Sequence, residues 1–178
     1  YLALDKKNII FFDNKGTLLK FDQFSKLIWK KNYYEKGEKK IKPLLNLATI
    51  NSYLIVADDL AKYYAVDVKS GNLLWMKRNN APFNSQIKIY KNNFFVIDLD
   101  NVLRCFSIKN GNELWNVKTD TSFVKSQKKL SLIISDGKVI FSNSIGDISA
   151  VDINTGKLLW QTPTQDSSIY ESSFSLKT

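Results

Sequence analysis

The stretch AVDINTGKLLW, residues 150–160, decides the fold, because variants of it occur three more times in the chain. The copies read AVDVKSGNLLW at 65–75, CFSIKNGNELW at 105–115 and, one residue shorter, KFDQFSKLIW at 20–29. Their tryptophans lie 46, 40 and 45 residues apart. Self-similarity at a period of about 40 to 45 residues is typical of β-propellers and solenoids. The sequence therefore predicts a repeat protein.

Each repeat consists of short apolar or alternating segments separated by turn residues, and none of the segments has helical periodicity. Four strands are predicted per repeat, which is the content of one propeller blade. The predicted blades cover approximately residues 1–30, 43–76, 84–116 and 129–161, with 167–178 as the first strand of a further blade. We predict an all-β fold with four blades.

Three kinds of residue recur at fixed places and are predicted to be structural. Aspartates end the third strand, where a carboxylate can accept N–H groups of the following turn: Asp22, Asp67 and Asp152. Glycines supply the positive φ of a tight hairpin: Gly71, Gly111 and Gly156. Tryptophans stand on the outermost strand, where an indole would cover the gap to the next blade: Trp29, Trp75, Trp115 and Trp160.

The pattern A-x-D-x-x-T-G-x-x-x-W, which AVDINTGKLLW matches almost letter for letter, resembles the PQQ-like repeat. This resemblance implies a β-propeller of seven or eight blades, so the four blades here are half of a ring. Two groups of proteins share the repeat: the quinoprotein dehydrogenases and the outer-membrane-assembly lipoprotein BamB with its relatives. A half ring would be completed by a second copy in a homodimer or by blades elsewhere; alternatively, four blades would close on themselves.

The resemblance to BamB implies a non-catalytic scaffold in the periplasm, associated with the outer membrane, that binds soluble domains of a barrel-inserting protein. No cofactor is predicted. The chain contains no histidine and one cysteine, which removes the commonest general base and any disulfide within the chain. Two alternatives stay open: a propeller that binds a peptide or polysaccharide, and a fragment of a PQQ-dependent dehydrogenase. The chain shows no signal-peptide pattern, so localisation rests on the resemblance alone.

The net charge of +9 comes from 26 Lys and Arg against 17 Asp and Glu, and only two of the 26 are arginines. Nucleic-acid sites depend on arginine forks, so we do not predict nucleic-acid binding. The longest departure from the repeat, residues 30–43, carries six lysines and two adjacent tyrosines in a predicted loop. Such a loop suits an acidic protein surface or anionic lipid head groups; alternatively, it is a solvated lysine-rich loop that binds no partner. The candidate residues are Lys30, Lys31, Tyr33, Tyr34, Lys36, Lys39 and Lys40, with Arg78 in the next such connection.

Acidic residues follow the second strand in three of the four repeats and admit two interpretations: Asp13, Asp58 with Asp59, and Asp98 with Asp100. As oxygen ligands they would suit Ca²⁺, which the resemblance to quinoproteins implies. As turn formers they would accept hydrogen bonds from their own loop. Because the acidic residues keep register with the repeat, we predict turn formers and no metal site. Cys105, which replaces Ala65 and Ala150, is predicted to be a small buried residue and not a reactive thiol.

Overall fold

The computed structural model describes residues 2–119 and 129–162, which form sixteen β-strands and one short α-helix. The strands make four antiparallel sheets of four strands, and within each sheet the strands are neighbours in chain order. Each sheet is thus a propeller blade. The predicted all-β fold with four blades is confirmed. The strand predicted at residues 167–178 lies outside the described residues.

The strands follow one another without crossovers. The first blade contains β1 (Ala3–Asp5), β2 (Asn8–Phe12), β3 (Leu18–Phe21) and β4 (Leu27–Lys31). The second blade contains β5 (Leu45–Ile50), β6 (Tyr53–Asp58), β7 (Lys62–Asp67) and β8 (Leu73–Arg78). The third blade contains β9 (Lys88–Tyr90), β10 (Asn93–Ile97), β11 (Val102–Ser107) and β12 (Glu113–Lys118). The fourth blade contains β13 (Leu132–Ser135), β14 (Lys138–Ser142), β15 (Ile148–Asp152) and β16 (Leu158–Thr162).

The blades stand side by side in chain order. The first strands of consecutive blades contact one another, β1 with β5, β5 with β9 and β9 with β13. Hydrophobic clusters join the first blade to the second, the second to the third and the third to the fourth. Because successive strand residues point to opposite faces, the fully buried neighbours Leu54 and Ile55 belong to different clusters. A central strand therefore has no polar face, which explains its continuous apolar sequence.

Every tryptophan of the repeat occupies the same place in its blade. It pairs with the third-strand residue that immediately precedes a β-bulge. The pairs are Lys20 with Trp29, Ala65 with Trp75, Cys105 with Trp115 and Ala150 with Trp160. The bulge increases the local twist of the strand, so the outer hairpin of each blade bends at its tryptophan.

The aspartate at the end of the third strand organises the turn that follows. Asp67 Oδ1 accepts hydrogen bonds from the Ser70 N–H and hydroxyl, each at 2.7 Å. Asp152 Oδ1 accepts from the N–H and hydroxyl of Thr155, each at 2.8 Å. In the shorter first-blade turn, Asp22 Oδ1 accepts from the N–H groups of residues 24 and 26. These hydrogen bonds satisfy backbone N–H groups of the turn that would otherwise have no partner within the protein.

The glycine of each turn lies against the tryptophan of the preceding blade. A Cβ on Gly71 would stand 2.8 Å from Trp29 Cδ2, and one on Gly111 would stand 2.6 Å from Trp75 Cζ3. Gly156 would meet Trp115 Cε3 at 2.6 Å in the same way. All three glycines also have positive φ, from 67° to 71°. Glycine is thus required twice, by the turn conformation and by the indole of the neighbouring blade.

Two of the indole N–H groups extend this contact with a hydrogen bond. Trp29 Nε1 donates to the Val68 carbonyl at 3.1 Å, and Trp75 Nε1 donates to the Ile108 carbonyl at 2.9 Å. Trp115 Nε1 is buried and has no hydrogen-bond partner among the described residues. Trp160, in the last described blade, is 43% exposed.

The first blade departs from the repeat at two positions. Lys20 is buried where the other blades have a small residue, and its Nζ contacts Asp5 Oδ2 at 2.7 Å and the Val68 carbonyl at 2.8 Å. Ser25 takes the positive φ, 63°, that glycine has in the other turns. Both differences explain why this copy of the motif is the least similar of the four.

The one helix in residues 2–119 and 129–162 is not long and apolar enough to span a bilayer.

Candidate functional site

The lysine connection, which we define as residues 30–43, contains a helix where the sequence predicted a loop. The helix α1 spans Lys36–Ile41. At its start, the Glu35 N–H donates to Glu38 Oε2 at 2.9 Å, and at its end Lys42 adopts a left-handed conformation with φ 59°. Because α1 buries none of its side chains, it has no apolar stripe by which the sequence could reveal it.

Tyr34, which the sequence placed in a candidate partner-binding loop, is buried, with only 4% of its surface exposed. Its hydroxyl donates to Asp58 Oδ2 at 2.5 Å, and its ring lies under Lys62 Nζ, 4.6 Å from the centroid. Burial, with the nearby Asp58 carboxylate, raises the pKa of Tyr34 far above its usual range, so the hydroxyl stays protonated as a donor. Tyr33 is half-buried, and its hydroxyl donates to the Gly71 carbonyl. Both tyrosines therefore anchor the connection to the second blade.

Glu38 provides the third anchor of the lysine connection. Its carboxylate accepts from Lys62 Nζ at 2.6 Å and pairs with Arg78. Partial burial alone would raise the pKa of Glu38, but the hydrogen bonds from Lys62 and the Glu35 N–H outweigh it and hold the pKa below its usual value. Arg78 is thus close to the lysine connection, as part of an ion pair.

The remaining lysines of the connection differ in exposure. Lys30, Lys36 and Lys40 are exposed, whereas Lys31 and Lys39 are half-buried. Lys36, Lys39 and Lys40 also line a recess of about 380 Å³. The rest of its lining comes from Lys42 and, from the turn between β2 and β3, Asn14 and Lys15. Sequence analysis did not select Lys15 or Lys42, because only the packing of this turn beside α1 brings them to the recess.

The acidic residues that follow the second strands accept hydrogen bonds from the backbone of their own turns. Asp13 Oδ1 accepts from two N–H groups of its own loop, and Asp58 Oδ1 and Asp98 Oδ1 do the same. Asn143 is the equivalent residue in the fourth blade. Burial raises the pKa of Asp58, against the opposing hydrogen bond from Tyr34. In the described part of the chain, no three His, Cys, Asp or Glu side chains are grouped as a metal site would require.

Cys105 lies fully buried between the third and fourth blades. Burial raises the pKa of its thiol to about 12, so the thiolate that would react is scarcely populated at neutral pH.

Comparison with known proteins places the chain in a family. Residues 7–175 match the profile of the family described as outer membrane protein assembly factor BamB. A search of curated proteins finds no match.

Solved structures share the fold at low sequence identity. BamB from Moraxella catarrhalis is similar with a TM-score of 0.78 and 16% identity, over 92% of this chain and 48% of that one. The quinohemoprotein alcohol dehydrogenase ADHIIG from Pseudomonas putida is similar with a TM-score of 0.70 and 14% identity, over 92% and 34%. The computationally designed Ika4 protein is similar with a TM-score of 0.67 and 15% identity, over 85% and 89%. The chain thus spans about half the length of the BamB structure.

Proposed function

Because the chain belongs to the family of the outer membrane protein assembly factor BamB, we propose that it is a non-catalytic scaffold that binds proteins during outer-membrane protein assembly. The match over residues 7–175 is the observation that carries this proposal. We place the protein in the periplasm, next to the outer membrane, on the same ground. Its partner in this proposal is the barrel-inserting component of the assembly machinery.

The hydrogen bonds that the repeated aspartates make support a structural role for these residues. Asp13, Asp58 and Asp98 each hold N–H groups of their own loop, and Asp67 and Asp152 hold those of the outer turns. Each of these carboxylates uses its Oδ1 to hold a turn in place, which is a structural role. The repeating residues therefore build blades, and the surface between the repeats is left for binding.

We propose that the partner contacts the exposed lysines of the lysine connection: Lys30, Lys36 and Lys40, with Lys39 beside them. Their charges favour an acidic partner surface and would speed its encounter. Tyr33 and Tyr34 are excluded from this surface because both hydroxyls and the Tyr34 ring are engaged with the second blade.

The test is the affinity of the chain for the purified soluble domains of the barrel-inserting protein of the same organism. We expect saturable binding that is weakened at least about fivefold by Lys30→Glu with Lys36→Glu, since two favourable charge contacts become repulsive. The matched control is Lys69→Glu with Lys109→Glu, in exposed outer turns, which should bind as the unchanged chain does. Absence of binding, or equal weakening by both pairs, would contradict the proposal.

The likeness to a quinohemoprotein alcohol dehydrogenase supports a second candidate, a fragment of a PQQ-dependent enzyme. Titration with PQQ and Ca²⁺ separates the two candidates. The scaffold proposal expects no saturable change in PQQ absorbance, and such a change would favour the enzyme. Recovery from an envelope extract of a peptide or polysaccharide without any barrel-assembly protein would favour a different binding propeller.

The two terminal blades each expose an apolar face, and we propose that these faces are covered in the working protein. Leu2 and Leu4 are 67% and 65% exposed in the first blade, and Ile133 is 54% exposed in the fourth. A second copy, or further blades, would cover them. In a head-to-tail pair, the indole of Trp160 would reach the outer turn of the first blade, where Ser25 replaces the usual glycine. A second copy would therefore need a contact different from the one that joins the described blades.

A further inference from the structure

The lysine recess, defined by its lining residues, brings five lysines together on one side of the first blade. It lies between α1 and the turn that joins β2 to β3, and its volume is about 380 Å³. The lining residues are Asn14, Lys15, Lys36, Lys39, Lys40 and Lys42. Among the described residues, no carboxylate lines it. Five of the 26 Lys and Arg residues of the chain therefore meet at one concave site.

The ammonium groups of the lysine recess have no direct partner in the described part of the chain, although the exposed Glu35 carboxylate lies one residue before Lys36. Within residues 2–119 and 129–162, no ion pair or hydrogen bond engages the ammonium group of any of its five lysines. The nearest acid on α1, Glu38, is committed to Lys62 and Arg78. Three of the lysines also stand at positions i, i+3 and i+4 of α1, where like charges repel each other. An anion in the recess would relieve this repulsion.

The walls of the lysine recess are held in place before any ligand arrives. Gly16 packs so closely under the connection that a Cβ would stand 2.6 Å from Tyr34 Cε2 and 2.9 Å from Pro43 Cγ. The Asn32 side chain donates to the Lys15 carbonyl and to Thr17 Oγ1, each at 3.0 Å. A site whose backbone is already fixed loses less entropy on binding than a flexible loop does.

The chemistry of the lining selects the class of ligand. Lysine is a compact point charge that suits phosphate, whereas planar recognition of carboxylates relies on the arginine fork, which the recess lacks. The described lining contains no aromatic side chain on which a nucleobase would stack. We propose that the lysine recess binds a compact anion with two or three linked phosphate groups. The site shares Lys36, Lys39 and Lys40 with the proposed partner-binding surface, but its ligand is additional to the proposed scaffold function.

The test is calorimetric titration of the chain alone with sodium tripolyphosphate at low ionic strength. We expect one saturable site whose affinity falls when NaCl is added, because salt screens charges at an open site. The double variant Lys15→Gln, Lys42→Gln removes one charge from each side of the recess and keeps the proposed partner-binding lysines. It should weaken binding about tenfold. The control pair Lys69→Gln with Lys109→Gln removes the same charge elsewhere and should leave the affinity unchanged within about twofold.

Phosphatidylcholine vesicles that carry a polyprenyl diphosphate, whose head group has two linked phosphates, distinguish a lipid source of the phosphate from a free one. Vesicle binding that tripolyphosphate displaces would support the site with lipid as a source. Tripolyphosphate binding without vesicle binding would support it with a free anion. Absence of saturable tripolyphosphate binding, or equal weakening by the two pairs of variants, would overturn the proposal. Because no partner protein is present, these outcomes are independent of the proposed scaffold function.

Discussion

At the scale of single residues, the contact between a tryptophan and the glycine of the next blade accounts for the order of residues in the repeat. The positive φ of these glycines could be predicted from the turn sequence. Their second constraint could not, because it depends on how the preceding blade is oriented. Gly111 illustrates this, since its turn and Trp75 are more than thirty residues apart in sequence yet in contact in space.

Gly111→Ala should destabilise the chain more than Gly137→Ala does. Both glycines have positive φ, 67° and 72°, so both substitutions lose about 1 kcal/mol or more to backbone strain. Only at Gly111 would the new methyl group overlap an indole, at 2.6 Å, whereas nothing lies within 4 Å of the Gly137 position. We expect the overlap to add about 1–3 kcal/mol. Equal losses in urea unfolding would contradict the packing of Trp75 on Gly111.

At the scale of elements, the strands were predictable and the lysine connection was not. Alternating and apolar segments identified the blades, since each strand follows a period of two. The Tyr-Tyr pair stood among lysines and gave no sign that one ring is buried. That burial results from Asp58, which is buried at the far end of β6 and accepts the Tyr34 hydroxyl.

Tyr34→Phe should lower the free energy of unfolding by about 1–2 kcal/mol, because it removes a hydrogen bond to a buried carboxylate. Tyr90→Phe is the control, since Tyr90 is 36% exposed and its change should have little effect. Urea unfolding of the two variants measures the difference. A Tyr34→Phe variant as stable as the control would mean that the hydroxyl does not anchor the connection.

Acid should weaken the anchor at Glu38. Because the pKa of Glu38 is lowered by folding, the unfolded chain binds more protons in the acid range. The stabilisation is complete above the usual glutamate pKa of about 4.3 and is lost as the pH falls through the lower folded value. Glu38→Gln should remove this part of the stability loss from unfolding measured between neutral pH and acid. An identical pH profile for both proteins would contradict this.

At the scale of the whole molecule, four blades present one apolar face at each end, and the sequence predicted these faces from the repeat count. The sequence also showed that the first repeat lacks the turn glycine, but it could not show that a tryptophan of the preceding blade packs on this glycine in the other repeats. Ser25 there sits in a turn one residue shorter than the others, with Phe24 81% exposed beside it. A contact between the two end faces would therefore lack the tryptophan–glycine packing that joins consecutive described blades.

The isolated chain should associate with itself as its concentration rises, because uncovered apolar faces favour contact. Sedimentation velocity over a range of concentrations measures this. Trp160→Lys should reduce the association, since Trp160 is exposed on the fourth blade and a charge there opposes burial. A monomer at all concentrations would show that the end faces are tolerated in water and need no cover.

The most direct test of the account is a map of the indole contacts by nuclear Overhauser spectroscopy in solution. We expect the indole protons of Trp29, Trp75 and Trp115 to contact the α-protons of Gly71, Gly111 and Gly156 respectively, each in the next blade. Those α-protons should also be shifted by the ring current of the indole. Indoles that contact only residues of their own blade would contradict the inter-blade packing on which the fold assignment and both binding proposals depend.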